Sequence, residues 1–346
     1  MLHHGGRLAA IAAQYQSNPS EWLDVSTGIS PFNYPVGTIP EHAWHRLPEE
    51  EDGLLEAAQR YYGFDSLLPV AGSQAAIQAL PEIIEAKLGR KGKVLLPSVG
   101  YQEHRYAWQK QDWQIEEYIG VPAQQQLANC DALLVINPNN PSTLLLSEQQ
   151  LNTIEQTLPS HAVMIIDEAF MDEQPQASRL SYPLSDHSIV LRSIGKFFGL
   201  AGARVGFVAA APCWLEPLQV KLGPWTICGA SRWVVTQALN DTKWQQSAKQ
   251  QIAQASLKQS QAIQALFTEC RVTSAGLFIR LETKKAVELH QALCQQKILA
   301  RLCDEADAVR FGLCADEQQL SRLISALSFA KYKVEGDVIK RGEGDD

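Results

Sequence analysis

Ser193-Ile194-Gly195-Lys196-Phe197-Phe198-Gly199-Leu200-Ala201-Gly202-Ala203-Arg204-Val205-Gly206 follows directly on an apolar run at 188–191. A hydroxyl, an amine and a guanidinium at 193, 196 and 204 suit one anionic aldehyde: two groups for a phosphate and an amine for the carbonyl carbon. A lysine held at a strand end can form a Schiff base with such a compound, and pyridoxal 5'-phosphate is one. Taken alone, the spacing equally fits a solvated loop lysine and a surface arginine, so the rest of the chain has to decide.

Outward from this run, short β-type segments at 67–71, 94–97, 132–137, 163–167, 188–191 and 205–209 alternate with helical stretches. That alternation predicts an α/β fold with a mostly parallel sheet covered by helices. The stretch 73–88 carries apolar residues at 76, 77, 80, 83, 84 and 88, close to a 3.6 period, with Pro81 expected to kink or break it. Ser147-Glu148-Gln149-Gln150 reads as a capping box opening a crossover helix. After Pro224 the texture changes to a Gln-rich helical region at 231–267, a strand at 272–281, a helix at 286–296 and a strand at 308–313. The expected organisation is an N-terminal arm (1–45) joining the small domain, a large domain (46–225), a smaller α+β domain (226–334) and a mobile charged tail (335–346).

Open parallel sheets bind ligands beyond the carboxyl ends of their strands. Gly72-Ser73-Gln74 after the first run offers a phosphate free backbone N–H groups at a helix start. Asn137-Pro138-Asn139-Asn140-Pro141 follows the third run, and the fourth ends in Asp167-Glu168-Ala169-Phe170. A buried carboxylate needs a partner, and a protonated pyridine nitrogen is a good one. Each feature alone also fits an N-cap, a plain turn or a structural ion pair. Their joint occurrence at successive strand ends carries the inference.

With these residues in place, the chain resembles the class I/II aminotransferase superfamily, pyridoxal-phosphate fold type I, over nearly its whole length. Three segments resemble the threonine-phosphate decarboxylases of cobalamin biosynthesis: His4-Gly5-Gly6 with 22–31, Val99-Gly100-Tyr101-Gln102-Glu103-His104, and Gly223-Pro224-Trp225 with Ser231-Arg232-Trp233. The resemblance implies Lys196 as the Schiff-base lysine, Asp167 on the pyridine nitrogen, Asn140 on the phenolic oxygen and Tyr101 stacked on the ring. It places Gly72, Ser73, Gln74, Ser193 and Arg204 around the phosphate. Arg310 would take the substrate carboxylate, and Arg301 and His4 a substrate phosphate, with Gly28 and Asn140 completing the substrate site.

The implied reaction is decarboxylation of O-phospho-L-threonine, with transamination of histidinol phosphate or a related phosphorylated amine as the alternative. Which bond at Cα lies perpendicular to the cofactor ring separates the two, and sequence does not reveal that angle. The resemblance also implies a homodimer. Two departures stand out. The usual Asn-Pro-Thr-Gly phrase is here Asn140-Pro141-Ser142-Thr143, and Phe170 replaces a common tyrosine.

Composition narrows the rivals. Of 346 residues 45% are apolar, and the apolar runs are far shorter than the ~18 residues of a membrane span. A net charge of -8 with no basic helix argues against a nucleic-acid partner, and hence against a DNA-binding regulator of the same fold. The seven cysteines are scattered without a C-x-x-C pair, so neither a disulfide framework nor a metal site is expected. No secretory signal is evident, and the expected compartment is the cytoplasm. Gly195-Lys196 lacks the flanking residues of a P-loop, and Gly199, Gly202 and Gly206 do not make G-x-G-x-x-G.

Overall fold

The structure, a computed structural model, describes residues 5–342, with side chains through residue 333. The chain divides into two compact units, one of residues 33–247 and the other of the residues before 33 together with those from 248 on.

The larger unit is built on seven strands: β1 (Leu67–Val70), β2 (Lys93–Pro97), β3 (Gln114–Tyr118), β4 (Ala132–Ile136), β5 (Val163–Asp167), β6 (Ser188–Ser193) and β7 (Gly206–Ala209). Their order is β1-β7-β6-β5-β4-β2-β3, parallel from β6 through β3, with β7 antiparallel to both β6 and β1. The mostly parallel sheet expected from the alternation is therefore present. Strands β4 and β5 are buried at every position, as apolar runs covered on both faces should be.

Its helices are α1 (Leu54–Tyr62), α2 (Ser73–Leu88), α3 (Gln102–Lys110), α4 (Glu148–Thr157), α5 (Pro212–Leu222) and α6 (Gly229–Asn240), followed by the start of α7 (Thr242–Leu266). Ile77, Leu80 and Ile84 of α2 and Trp108 of α3 pack with Val94, Leu134, Ile165 and Ile189 in one core. Of the kink or break expected at Pro81, the break does not occur: helix α2 runs through it. The Ser147 capping box forms as expected: Gln150 N–H donates to Ser147 Oγ at 3.3 Å and Ser147 N–H to Gln150 Oε1 at 2.9 Å.

In the smaller unit, β8 (Arg271–Ser274), β9 (Phe278–Glu282), β10 (Arg301–Leu302) and β11 (Ala308–Gly312) form an antiparallel sheet ordered β10-β11-β9-β8. Helices α8 (Ala286–Gln295) and α9 (Glu317–Gly342) pack on each other, and Leu23–Asp24 pairs in parallel with Ile298–Leu299.

The divisions between the two units fall after residues 32 and 247. Residues 33–45 and 226–247 belong to the larger unit because Arg232 binds Asp52 through two bonds of 2.6 and 2.7 Å, and because Gly229 packs against the Ala43 carbonyl too closely for any side chain. The single strand expected at 272–281 is a hairpin, turned at Gly276 (φ +66). The backbone is helical from Glu317 through Gly342.

Candidate active site

The carboxyl ends of β1, β2, β4, β5 and β6 lie on one edge of the larger unit's sheet. Because β7 runs the other way, its beginning lies there too. Val70, Gly206 and Ser193 are register partners at this edge. Gly72, Ser73, Ser193 and Arg204 are thereby brought together. A Cβ on Gly206 would stand 2.6 Å from Ser73 N, and one on Gly72 (φ +72) would stand 2.8 Å from an Arg204 guanidinium nitrogen. Arg204 takes the left-handed conformation, φ 52 and ψ 51, and among the described residues no carboxylate pairs with it. A helix N-terminus, a hydroxyl and a cation without a counter-charge make an anion cradle, which fits the phosphate of pyridoxal phosphate.

The Gln74 side chain is held by two neighbours. Its amide donates to Glu103 Oε2 at 2.7 Å and its Oε1 accepts from the Tyr101 hydroxyl at 3.2 Å. The side chain therefore steadies Tyr101, and what Gln74 turns towards the cradle is its place in the first turn of α2.

Asp167 ends β5 at 4% exposure. Its Oδ1 accepts from Ala169 N–H at 3.0 Å and its Oδ2 lies 2.8 Å from His104 Nε2, itself buried. The carboxylate is thus held from two sides, and it satisfies the requirement for a fixed charge beside a cationic ring. In the sequence His104 stands only as the last residue of the 99–104 motif, with no role implied for it. The available signal was its place three residues after Tyr101, on the first turn of α3.

Lys196 is half-buried, with Nζ 5.4 Å from the centre of the Phe170 ring. An aromatic face thus stands where a tyrosine hydroxyl was the usual expectation. Asn140 is buried, and its neighbour Asn139 donates to Val99 O at 2.7 Å. Thr143, at the position of the missing glycine, nevertheless keeps a positive φ of 66.

Behind Asp167 lies a charged cluster the sequence did not disclose. Arg192, 2% exposed, donates to Glu168 Oε2 and to Asp172 Oδ1, each at 2.6 Å, and its guanidinium lies 4.7 Å from the Tyr62 ring centre. Burial works against the charge of Arg192, but Asp172 and Glu168 overcome it and hold its pKa above the ordinary arginine value. This cluster ties the loop after Asp167 to the residue preceding Ser193.

In the smaller unit Arg310 and Arg301 face each other in register on β11 and β10. Arg310 donates to Ser26 O at 2.5 Å, and Arg301 lies 3.7 Å from Asp304. Burial and the neighbouring Arg301 push the Arg310 pKa down to about 9. A guanidinium so placed remains a cation at neutral pH and gains by meeting an anion. Gly28 is buried in the same unit, and His4 lies outside the described residues.

The aminotransferase class I and II family profile matches residues 48–327. The chain belongs to this family. A Pseudomonas aeruginosa protein named threonine-phosphate decarboxylase is 41% identical over 94% of this chain and 97% of its own length. A second protein of that name, from Sinorhizobium sp., is 36% identical over 94% of this chain and 97% of its own. Among solved structures, the family fold recurs in a histidinol-phosphate aminotransferase from Sinorhizobium meliloti in complex with pyridoxal-5'-phosphate. That match has a TM-score of 0.78, 18% identity, and covers 95% of each chain.

Proposed function

We propose that this chain is a pyridoxal-phosphate-dependent decarboxylase that converts O-phospho-L-threonine to (R)-1-amino-2-propanol O-2-phosphate, the step of adenosylcobalamin biosynthesis implied by the sequence resemblance. The observation that carries the reading is the 41% identity with a threonine-phosphate decarboxylase along 94% of the chain.

When bound, pyridoxal phosphate supplies an aldehyde for the substrate amine and a cationic ring that takes up electrons as a bond to Cα breaks. Ser193, Arg204 and the N–H groups opening α2 at Gly72, Ser73 and Gln74 would hold its phosphate. Tyr101 would cover its ring, Asn140 would meet its phenolic oxygen, and Asp167, steadied by His104, would keep the ring nitrogen protonated. Lys196 Nζ would hold the carbonyl carbon and, once displaced by the substrate amine, would be the amine that moves a proton at the substrate Cα. Arg310 and Arg301 take the substrate's two anionic groups, with Gly28 offering backbone beside them.

The protein acts as a homodimer in the cytoplasm. In support, Trp44, Leu47, Val220 and Trp225 of the larger unit are all more than half exposed, apolar side chains that a second copy would cover. All seven cysteines are free, and among the described residues no helix is long and apolar enough to cross a membrane. Light scattering at twice the chain mass is the expected result.

The test of the activity is mass spectrometry of products from protein, pyridoxal phosphate and O-phospho-L-threonine with no keto acid. Catalytic formation of aminopropanol phosphate is expected, and Lys196→Ala should form none. Intact substrate, or only stoichiometric conversion of the cofactor to its amine form, would overturn the reading in favour of a transaminase.

A further inference from the structure

Lys196 projects from a stretch between β6 and β7 with little hydrogen-bonded structure of its own. Residues 194–198 are turns, Ile194 N–H donates to Val205 O at 3.2 Å and Gly199 N–H to Lys196 O at 3.2 Å, and the short helical turn Ala201–Ala203 follows. What grips the stretch is a group of rings. Trp244, in the first turn of α7, lies nearly parallel to Phe198, with centroids 5.4 Å apart and planes at 16°. It meets Phe197 edge-on at 5.6 Å. Tyr34 stands edge-on to Trp244 at 5.2 Å, and its backbone N–H donates to Phe198 O at 2.9 Å. Asn33 closes the other side: Gly199, at φ +67, leaves no room for a Cβ against its side chain.

Two features separate this cluster from ordinary core. The rings it holds, Phe197 and Phe198, are fully buried and follow Lys196 immediately in the chain, so their planes fix the backbone from which the amine extends. Moreover, residues 33–34 and 244 lie at the two places where the chain enters and leaves the larger unit, which spans 33–247. Trp244 is itself only half-buried, and its helix is capped independently by Asp241, whose Oδ1 accepts from Trp244 N–H at 3.0 Å. Trimming the ring therefore leaves the helix start in place.

We propose that Trp244 is a positioning residue for Lys196: stacked on Phe198 and edge-on to Phe197, it fixes the loop that aims the lysine amine. The loop lies just beyond the last bond of the β6–β7 ladder, Ile194 N–H to Val205 O at 3.2 Å, and aromatic pairs of this geometry add attraction beyond their buried area. A small error in aim is costly, because a shift of about 1 Å in a reacting group can cost on the order of a hundredfold in rate. The proposal rests on the assignment of Lys196 as the amine that holds the cofactor.

The test compares wild type, Trp244→Ala and Trp244→Phe as full-length proteins. For the holoenzymes, kcat and KM for O-phospho-L-threonine are measured, with the pH midpoint of the cofactor absorbance band that Lys196→Ala abolishes. For the cofactor-free proteins, acetic anhydride labelling of Lys196 is read by peptide mass spectrometry relative to exposed Lys221. For the alanine variant we expect kcat to fall about tenfold with KM within about twofold, the midpoint to move, and the labelling ratio to change by about threefold or more. The phenylalanine variant should restore all three, because it keeps an aromatic face against Phe198. A lower melting temperature with kcat, midpoint and labelling ratio unchanged would reduce Trp244 to a structural residue and overturn the proposal. Absence of a Lys196-dependent band in the wild type would count against the cofactor assignment. The labelling ratio would still judge the position of Lys196, and an unchanged ratio overturns the proposal in that case too.

Discussion

His104 Nε2 lies 2.8 Å from Asp167 Oδ2, and neither side chain is more than 5% exposed. A carboxylate so deeply buried is held in one orientation only if its lone pairs are taken up, and here an imidazole and the Ala169 N–H share that task. His104→Ala leaves Asp167 with the backbone donor alone. The expected outcome is a fall in kcat of roughly ten- to a hundredfold, the range for losing a supporting hydrogen bond behind a functional group. A shifted absorbance spectrum of the bound cofactor should accompany it. Steady-state kinetics and the cofactor spectrum check this, and wild-type values for both would remove His104 from the site.

Thr143 occupies a left-handed conformation, φ 66, which favours glycine. A β-branched side chain there is strained, since the left-handed region costs L-residues roughly 1–2 kcal/mol. The comparison of Thr143→Gly with Thr143→Ala isolates that strain, because both variants lose the hydroxyl and only alanine retains Cβ. The glycine variant is expected to be more stable by about 1 kcal/mol in urea unfolding. Equal stabilities would mean that the loop relaxes at no cost.

Much of the architecture is legible because it is written in apolar periodicity. The runs at 132–137 and 163–167 become the fully buried β4 and β5, and the residues that end them line the expected edge. Strand β3, Gln-Ile-Glu-Glu-Tyr, was not legible: it is an edge strand with three polar positions of five, and its pairing with β2 decides its state. Candidate residues could be named from the sequence where the proposed chemistry demands a residue type, as at Lys196, Asp167 and Arg204. The site was not legible where a residue acts through another. Arg192 reads as an ordinary charge at a strand end, and only the fold brings Glu168 and Asp172 to it. Trp244 is likewise 48 positions from Lys196 and unreadable as its support.

Glu155 gives the fold an acid-sensitive contact. Burial raises its carboxyl pKa, but the Ser185 and Ser188 hydroxyls and Arg179, at 2.8 Å, outweigh that and hold it below the usual glutamate value. A group whose folded pKa is depressed adds stability that is present above its unfolded pKa, about 4.3, and lost as pH falls through the folded value. Wild type should therefore exceed Glu155→Gln in stability at neutral pH, and the difference should shrink as the solution is acidified below about pH 4.3. Denaturant titrations across that range provide the check. A gap that widens towards low pH would mean that the folded protein raises the Glu155 pKa instead of depressing it.

Gly206 is the tightest point of the anion cradle. It pairs with Ser193 on one side and Val70 on the other, and a Cβ would stand 2.6 Å from Ser73 N and 2.7 Å from Arg192 O. Both obstacles are backbone, so no side chain can swing aside, and relief requires β6 and the start of α2 to separate. That separation would pull the Ser73 N–H away from the Ser193 hydroxyl and weaken the hold on a phosphate while leaving Lys196 and Asp167 chemically unchanged. Gly206→Ala is expected to raise the dissociation constant for pyridoxal phosphate by about tenfold or more, the loss of one to two charge-assisted hydrogen bonds. Pyridoxal without its phosphate should bind the two proteins nearly equally. Equilibrium titration of both compounds makes the comparison, and an equal loss for each would place the damage in the sheet as a whole instead of in the cradle.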